Sequence, residues 1–381
     1  MKTIINFILI VCMMAQQLHS QDQKEKVKGQ ILHSFEKKVK KDKSLGTGIL
    51  LVHSDLLDIH WKTAVNNSPV ANVYPDQPFH FASIGKTVTS VMIGILYEKG
   101  LIDYEDLVAD HLDQSIVNGL HVYKGIDYSK QIKIRQLLNH TSGLGDYYTD
   151  KNNEGISLMD MMLSSPEKFW TPIETIMWTK KNLKSKFKPG KGFHYSDTNY
   201  QLLGLIIEQI TGMALHDAFK TYIFEPLDMN NSYMILHSGP IEKCKYPMVD
   251  FYHNDLNLIE AKSISMSWAS GGIVSTTEDM LKFHEALVRY KIIKESTFKK
   301  MCDWAKMGPG FFYGYGLMNF RFIMTPKKYD IWGNSGSIGA FMYYNPHFDT
   351  YIIGSFHKMG YESQPIFFIL KTLKKLKKIN S

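Results

Sequence analysis

Cysteine is scarce in this chain, with Cys12, Cys244 and Cys302 the only three among 381 residues. No CxxC pair and no His/Cys cluster at zinc-ligand spacing occurs, which excludes a zinc module and a disulfide-dense scaffold. Charge of one sign is lacking as well: 44 Lys and Arg against 37 Asp and Glu leave +7. That excess is thin and scattered, so it forms no basic stripe for nucleic acid. No apolar run reaches the roughly 20 residues of a membrane-spanning helix, and no repeat of solenoid length is visible. Nucleotide loops are missing too. Gly85-Lys86-Thr87 ends like a phosphate-binding loop, but His80 stands where its first glycine belongs. His284-Glu285 begins like a zinc-protease helix, but Val288 occupies the second histidine position. No Gly-x-Ser-x-Gly exists, which removes the α/β-hydrolase elbow. The histidines, His140 among them, therefore have no elbow serine to serve and read as core or surface residues. Composition, 44% hydrophobic and 21% charged, excludes disorder and collagen-like structure.

The ends of the chain carry clearer signals. Lys2 precedes an apolar run from Ile4 to Ala15, followed by polar residues and the small Ser20. This is the pattern of an export signal over residues 1–20, with an uncleaved anchor as the alternative. It places the remainder, 21–381, outside the cytoplasm, periplasmic or secreted, with no integral membrane span after signal removal. Removal of Cys12 leaves Cys244 and Cys302, either one disulfide or two free thiols. At the other end, Ile366, Ile369, Leu370, Leu373, Leu376 and Ile379 recur at helical spacing with lysines behind them. A helix docked on the body, its lysines favouring the C-terminal dipole, is the expectation.

Between the ends, Gly48–His53 and Asp58–Ala64 read as a strand pair, and Thr87–Lys99 as a helix stopped by Gly100. Asn199–Thr211 and Ala214–Ile223 read as helices, and Ser275-Thr276-Thr277-Glu278 as a capping box opening another through Tyr290. Short β-branched and aromatic runs at Tyr313–Ile323, Tyr329–Gly333, Ala340–Tyr344 and Thr350–Phe356 predict an antiparallel meander. The chain is therefore α+β: one sheet built from both termini, with a helical lobe over roughly 100–270 inserted between them.

One constellation carries chemistry. Ser83 and Lys86 lie three residues apart at the head of the Thr87–Lys99 helix, so they share a face. A serine hydroxyl is a weak nucleophile until a neighbouring base takes its proton. Burial and the positive helix end push such a lysine toward its neutral form. Spacing alone is unspecific, because Ser34, Ser165, Ser185, Ser296 and Ser355 also have Lys three residues later. Ser83 differs in following the apolar segment Phe79-His80-Phe81-Ala82 and opening a long helix.

With its surroundings, Phe81-Ala82-Ser83-Ile84-Gly85-Lys86 resembles the nucleophile motif of the serine β-lactamase and penicillin-binding-protein superfamily. The nearest branch is that of class C β-lactamases, D-Ala-D-Ala carboxypeptidases, D-aminopeptidases and esterases. The resemblance continues in order through His140-Thr141-Ser142-Gly143-Leu144, Tyr195-Ser196-Asp197, Ala269-Ser270-Gly271-Gly272 and Gly333-Asn334-Ser335-Gly336-Ser337. It implies a β-lactamase/transpeptidase-like fold and an acyl-enzyme on Ser83, with Lys86 as activating partner and Tyr195 as proton shuttle. It also implies an oxyanion hole from the backbone N–H groups of Ser83 and Ser337, and substrate contacts from Asp197, Asn334, Ser335 and Gly336. No cofactor and no metal is implied, and the partner is a small-molecule or peptide substrate.

Two positions depart from that pattern. Asp197 takes the place of the usual Asn, and a carboxylate near Lys86 favours the charged ammonium, which shifts the role of base toward Tyr195. Asn334 replaces the Lys or His that attracts a substrate carboxylate. The expectation is therefore ester or amide hydrolysis without a required carboxylate. A class C-type β-lactamase or DD-carboxypeptidase, and an inactive binding or scaffold homologue, are the alternatives.

Overall fold

The structure, a computed structural model, describes the backbone of residues 2–42, 45–67, 72–253, 256–361 and 363–379, with side chains from residue 20 onward. The chain opens with helix α1 (Lys2–Lys41), whose first half covers the residues read as an export signal; their side chains lie outside the described residues. Strands β1 (Thr47–Ser54) and β2 (Ile59–Asn66) follow as the expected hairpin. Then come the short β3 (Phe79–His80), a single 3-10 turn at Ala82–Ile84, and helix α2 (Gly85–Glu98). A mostly helical stretch includes α3 (Asp197–Thr211), ended by Gly212 in the left-handed conformation that favours glycine. Strand β4 (Ile273–Ser275) pairs with β3, and helix α4 (Thr277–Val288) follows. The chain closes with six strands and a helix: β5 (Ala305–Gly308), β6 (Phe311–Tyr313), β7 (Met318–Phe320), β8 (Ile331–Ser335), β9 (Ala340–Asn345), β10 (Thr350–Ser355) and α5 (Gln364–Leu376).

The main sheet has eight strands in the order β5-β6-β7-β8-β9-β10-β1-β2, antiparallel at every pairing. β1 from the N-terminal part thus lies beside β10 from the C-terminal part, Leu51 opposite Ile353. Its run Ile49-Leu50-Leu51-Val52 is continuously apolar because both faces are covered. Ile49 and Leu51 join the core shared with the helical lobe, whereas Leu50 and Val52 join the layer formed by α1 and α5. There Val27, Ile31, Phe35 and Val39 of α1 meet Ile369, Leu373 and Leu376 of α5, so the C-terminal helix docks as its spacing predicts.

Two expectations need correction, and one alternative is decided. Tyr313–Ile323 is two strands rather than one, since Gly314–Leu317 makes the turn between β6 and β7, with Gly316 at φ +66. The cap of α4 sits one residue later than expected. Thr276 accepts from the Asp279 N–H, while Ser275 is still extended in β4 with its hydroxyl on Ser232. Cys244 and Cys302 are both free thiols. Among the described residues no single helix is long and apolar enough to cross a membrane.

Candidate active site

Alternation along β3 sorts its side chains. Phe79 and Phe81 share a face and stack 4.2 Å apart, while His80 points to the other side. The chain then turns sharply at Ala82, whose φ of +48 lies in the left-handed region, a conformation that costs a non-glycine residue about 1–2 kcal/mol. Ser83 follows at once and lines a cleft together with Tyr148, Asp197, Ser270 and Ser337. Glycines let the chain pack tightly underneath: a Cβ on Gly85 would lie 3.1 Å from the Gly271 Cα, and one on Gly336 would lie 2.6 Å from the Phe81 carbonyl oxygen.

Lys86 is fully buried. Its ammonium has three N–H groups and three acceptors: Ser83 Oγ at 3.2 Å, Asp197 Oδ1 at 2.5 Å and the Ser270 carbonyl at 2.8 Å. Burial pushes the amine toward neutrality, but the Asp197 carboxylate outweighs burial and holds it above the ordinary lysine range. The lysine is therefore a charged donor to Ser83 rather than a resident base: of the two opposing tendencies read from sequence, the effect of Asp197 prevails over that of burial and the helix end. Tyr195, in the loop before α3, interacts with the side chains of both Ser83 and Lys86, and its ring centroid lies 5.0 Å from the Lys86 Nζ. Burial raises its phenol above the usual range despite the opposing pull of Lys86, so it too is protonated at neutral pH.

The carboxylate that fixes this charge is itself anchored. Asp197 opens α3, and its N–H donates to Asp146 Oδ1 at 2.8 Å. Asp146 also accepts from Thr149 and Tyr148, and burial together with the nearby Asp197 pushes its carboxyl up to about 6. His140 holds the tyrosine from behind, its ring 4.2 Å from that of Tyr195. Its Nδ1 accepts from the Ser196 N–H at 3.1 Å and faces the Asn199 amide at 3.0 Å, which fixes the proton on Nε2. Burial, with Lys86 nearby, keeps the ring well below the usual histidine range, hence neutral. Asp146 and His140 went unassigned from sequence, although the His140-Thr141-Ser142-Gly143-Leu144 block that carries one and precedes the other was visible.

Of the Gly333-Asn334-Ser335-Gly336-Ser337 block, only Ser337 reaches the cleft. Its backbone N–H has no protein acceptor among the described residues, and its side chain interacts with the Tyr148 hydroxyl. The expected substrate contacts from Asn334, Ser335 and Gly336 need correction. Asn334 is fully buried, its amide directed to Ser83 O at 3.3 Å, Thr87 Oγ1 at 3.2 Å and Gly316 O at 3.1 Å. The Ser335 hydroxyl pairs with Tyr343 at 2.7 Å, and Gly336 packs on Phe81. Asn334 and Gly336 tie the end of β8 to the nucleophile segment, and Ser335 ties it to β9. Asp197 does line the cleft, with one carboxylate oxygen engaged by Lys86. His53, Asp55 and Glu285 come close enough to share a cation, His53 Nε2 lying 3.3 Å and 3.1 Å from the two carboxylates, but none lines the cleft.

Residues 57–365, most of the chain, match the family described as Beta-lactamase. The chain belongs to the Beta-lactamase family. This family of serine hydrolases includes penicillin-binding proteins and D-aminopeptidases among the chain's relatives. A penicillin-binding protein of Bacillus subtilis (strain 168) is 28% identical over 279 residues, 68% of this chain and 55% of that protein. A D-aminopeptidase of Brucella anthropi is 22% identical over 69% of this chain and 46% of its own length. The chain thus spans about half the length of these curated relatives. The D-amino acid amidase of Ochrobactrum anthropi SV3, solved with D-phenylalanine, has a TM-score of 0.71 at 21% identity, covering 93% of this chain and 99% of that one. The Beta-lactamase fold accounts for the architecture above, a large antiparallel sheet with helices on both faces.

Proposed function

We propose that this Beta-lactamase family member hydrolyses ester or amide bonds through an acyl-enzyme on Ser83. The observation that carries the reading is the convergence of Lys86 and Tyr195 on Ser83, with Asp197 holding Lys86 and lining one cleft with Ser83. Ser83 Oγ attacks the substrate carbonyl. Its proton passes to the Tyr195 oxygen while the Tyr195 proton passes to the leaving alcohol or amine, so no free phenolate forms. A bond from Oγ to carbon is made and the bond to the leaving group breaks. Water then attacks the acyl carbon and gives a proton to the Tyr195 oxygen while the Tyr195 proton passes to Ser83 Oγ, so the carbon–Oγ bond breaks and the acid and the free serine are released. The Lys86 ammonium stabilises negative charge developing on Oγ, and the Ser83 and Ser337 N–H groups stabilise the carbonyl oxygen.

The inward-turned Asn334 leaves no cation on β8 to attract a substrate carboxylate, which favours this reading over a β-lactamase or DD-carboxypeptidase. Residues 1–20 are proposed as an export signal, tested by the N-terminal sequence of the protein recovered from outside the cytoplasm.

Wild type is expected to hydrolyse p-nitrophenyl acetate and to gain one fluorophosphonate adduct on the peptide containing Ser83. Ser83→Ala is expected to lose both. An adduct on another residue moves the active site, and no adduct with no turnover leaves a scaffold.

A further inference from the structure

His80 is a cleft-wall residue whose chemistry the acyl-transfer reading leaves unused. It precedes Ser83 by three residues, is 3% exposed, and stacks on Phe251 at 5.5 Å between ring centroids. Neither ring nitrogen has a hydrogen-bond partner among the described residues. His284 and His357 are equally unpartnered, but rings enclose them: Trp332, Tyr344 and Tyr351 around the first, Phe79 beside the second. His80 alone of these three lines the cleft that holds Ser83. The cleft that it lines combines an apolar set, Met162, Phe251, Leu258, Ile264, Ile338 and Met359, with the polar residues around Ser83.

A buried polar atom without a partner is unfavourable, and a ligand group that completes its hydrogen bond removes that penalty. A neutral imidazole offers one N–H and one lone pair, and burial lowers this ring to about 4, so it is neutral throughout the neutral range. A neutral buried ring of this kind suits an uncharged polar group better than an ion.

We infer that His80 is the specificity residue of the cleft, taking one uncharged hydrogen-bonding group, a hydroxyl or an amide, carried on an otherwise apolar acyl chain. The inference rests on the proposed acyl-enzyme at Ser83 and deepens it by naming the acyl class.

The test compares kcat/KM for p-nitrophenyl butyrate with that for each enantiomer of p-nitrophenyl 3-hydroxybutyrate, each corrected for hydrolysis without enzyme. Wild type is expected to prefer one hydroxylated enantiomer by roughly tenfold, the gain of one completed neutral hydrogen bond. His80→Phe, which keeps a ring against Phe251, is expected to bring that ratio to about one or below. His80→Gln, which restores a donor and an acceptor, is expected to recover part of it. Hydrolysis of both substrates without preference in wild type overturns the inference, and so does a preference that survives His80→Phe; the serine-hydrolase reading stands in either case. Hydrolysis of neither C4 ester by an enzyme that turns over p-nitrophenyl acetate also overturns the inference, whereas no turnover of acetate and no fluorophosphonate adduct removes the serine-hydrolase reading itself. If His80→Phe does not fold, the wild-type ratio decides alone.

Discussion

Lys86 and Asp197 show how one substitution in a motif alters the electrostatics of a site. Burial of a lone ammonium favours the free amine, and an amide at position 197 would leave it so. The carboxylate reverses the outcome, and Asp146 behind it keeps the pair in place at the head of α3. Asp197→Asn removes the counter-charge, so the Lys86 amine falls below the ordinary lysine range. A titration absent from wild type is then expected in the pH profile of kcat/KM for p-nitrophenyl acetate between pH 6 and 10. An unchanged profile means that Asp197 does not hold the proton on Lys86. At this scale the sequence was informative about residue types and poor on direction. Ser83, Lys86 and Tyr195 stand in recognisable company, and the structure brings them together. Asn334, Ser335 and Gly336 stand in equally recognisable company, yet their side chains face inward. Nothing in a linear motif says which of two strand faces meets the substrate when both are buried.

Among the elements, those legible from sequence are the ones whose pattern is set locally. The apolar run of β1, the long buried face of α2 and the amphipathic α5 each declare themselves within a single window. Boundaries set by distant contacts do not. Ser275 reads as a helix cap until β3 arrives to pair it with Phe79, some 200 residues away. The break between β6 and β7 has a similar origin, since Gly316 packs against Lys86 O and Ser90 of α2, where a Cβ would lie 2.7 Å and 2.3 Å from the two oxygens. The same tight packing makes Gly336 a sensitive point. Gly336→Ala forces the end of β8 and the Phe81–Ala82 segment apart, and kcat for ester hydrolysis is expected to fall at least about tenfold, because a small misplacement of reacting groups is amplified in rate. Fluorophosphonate labelling of Ser83 should slow in parallel. Unchanged labelling would show that the segment absorbs the extra carbon.

For the molecule as a whole, buried histidines dominate the response to acid. Burial lowers His80 to about 4 and both His284 and His357 to about 3. Each stays neutral when folded, while the unfolded chain takes a proton below about 6.5. Their contribution is therefore intact above that pH and is lost as pH falls toward 3–4. Asp146 has the opposite sign: raised to about 6, it favours the fold below its unfolded value of 3.8 and loses that benefit as pH rises through 6. Three histidines outweigh one aspartate, so the melting temperature is expected to drop between pH 7 and pH 5. His284→Phe, a ring of similar shape inside an aromatic cage, should recover about 2 kcal/mol at pH 5 and much less at pH 8. Equal effects at both pH values would mean that packing, not protonation, governs that site.

The placement of β1 between β2 and β10 also bears on biosynthesis. A chain emerging from the ribosome makes the β1–β2 hairpin early, yet one flank of β1 stays open until Thr350–Ser355 has been translated. Until then its unpaired backbone is an invitation to foreign strands. Synthesis of Thr350–Ser355 is thus the event that commits the polypeptide to its native form, and a stop codon before position 350 is expected to yield insoluble product even though every residue converging on Ser83 has already been made.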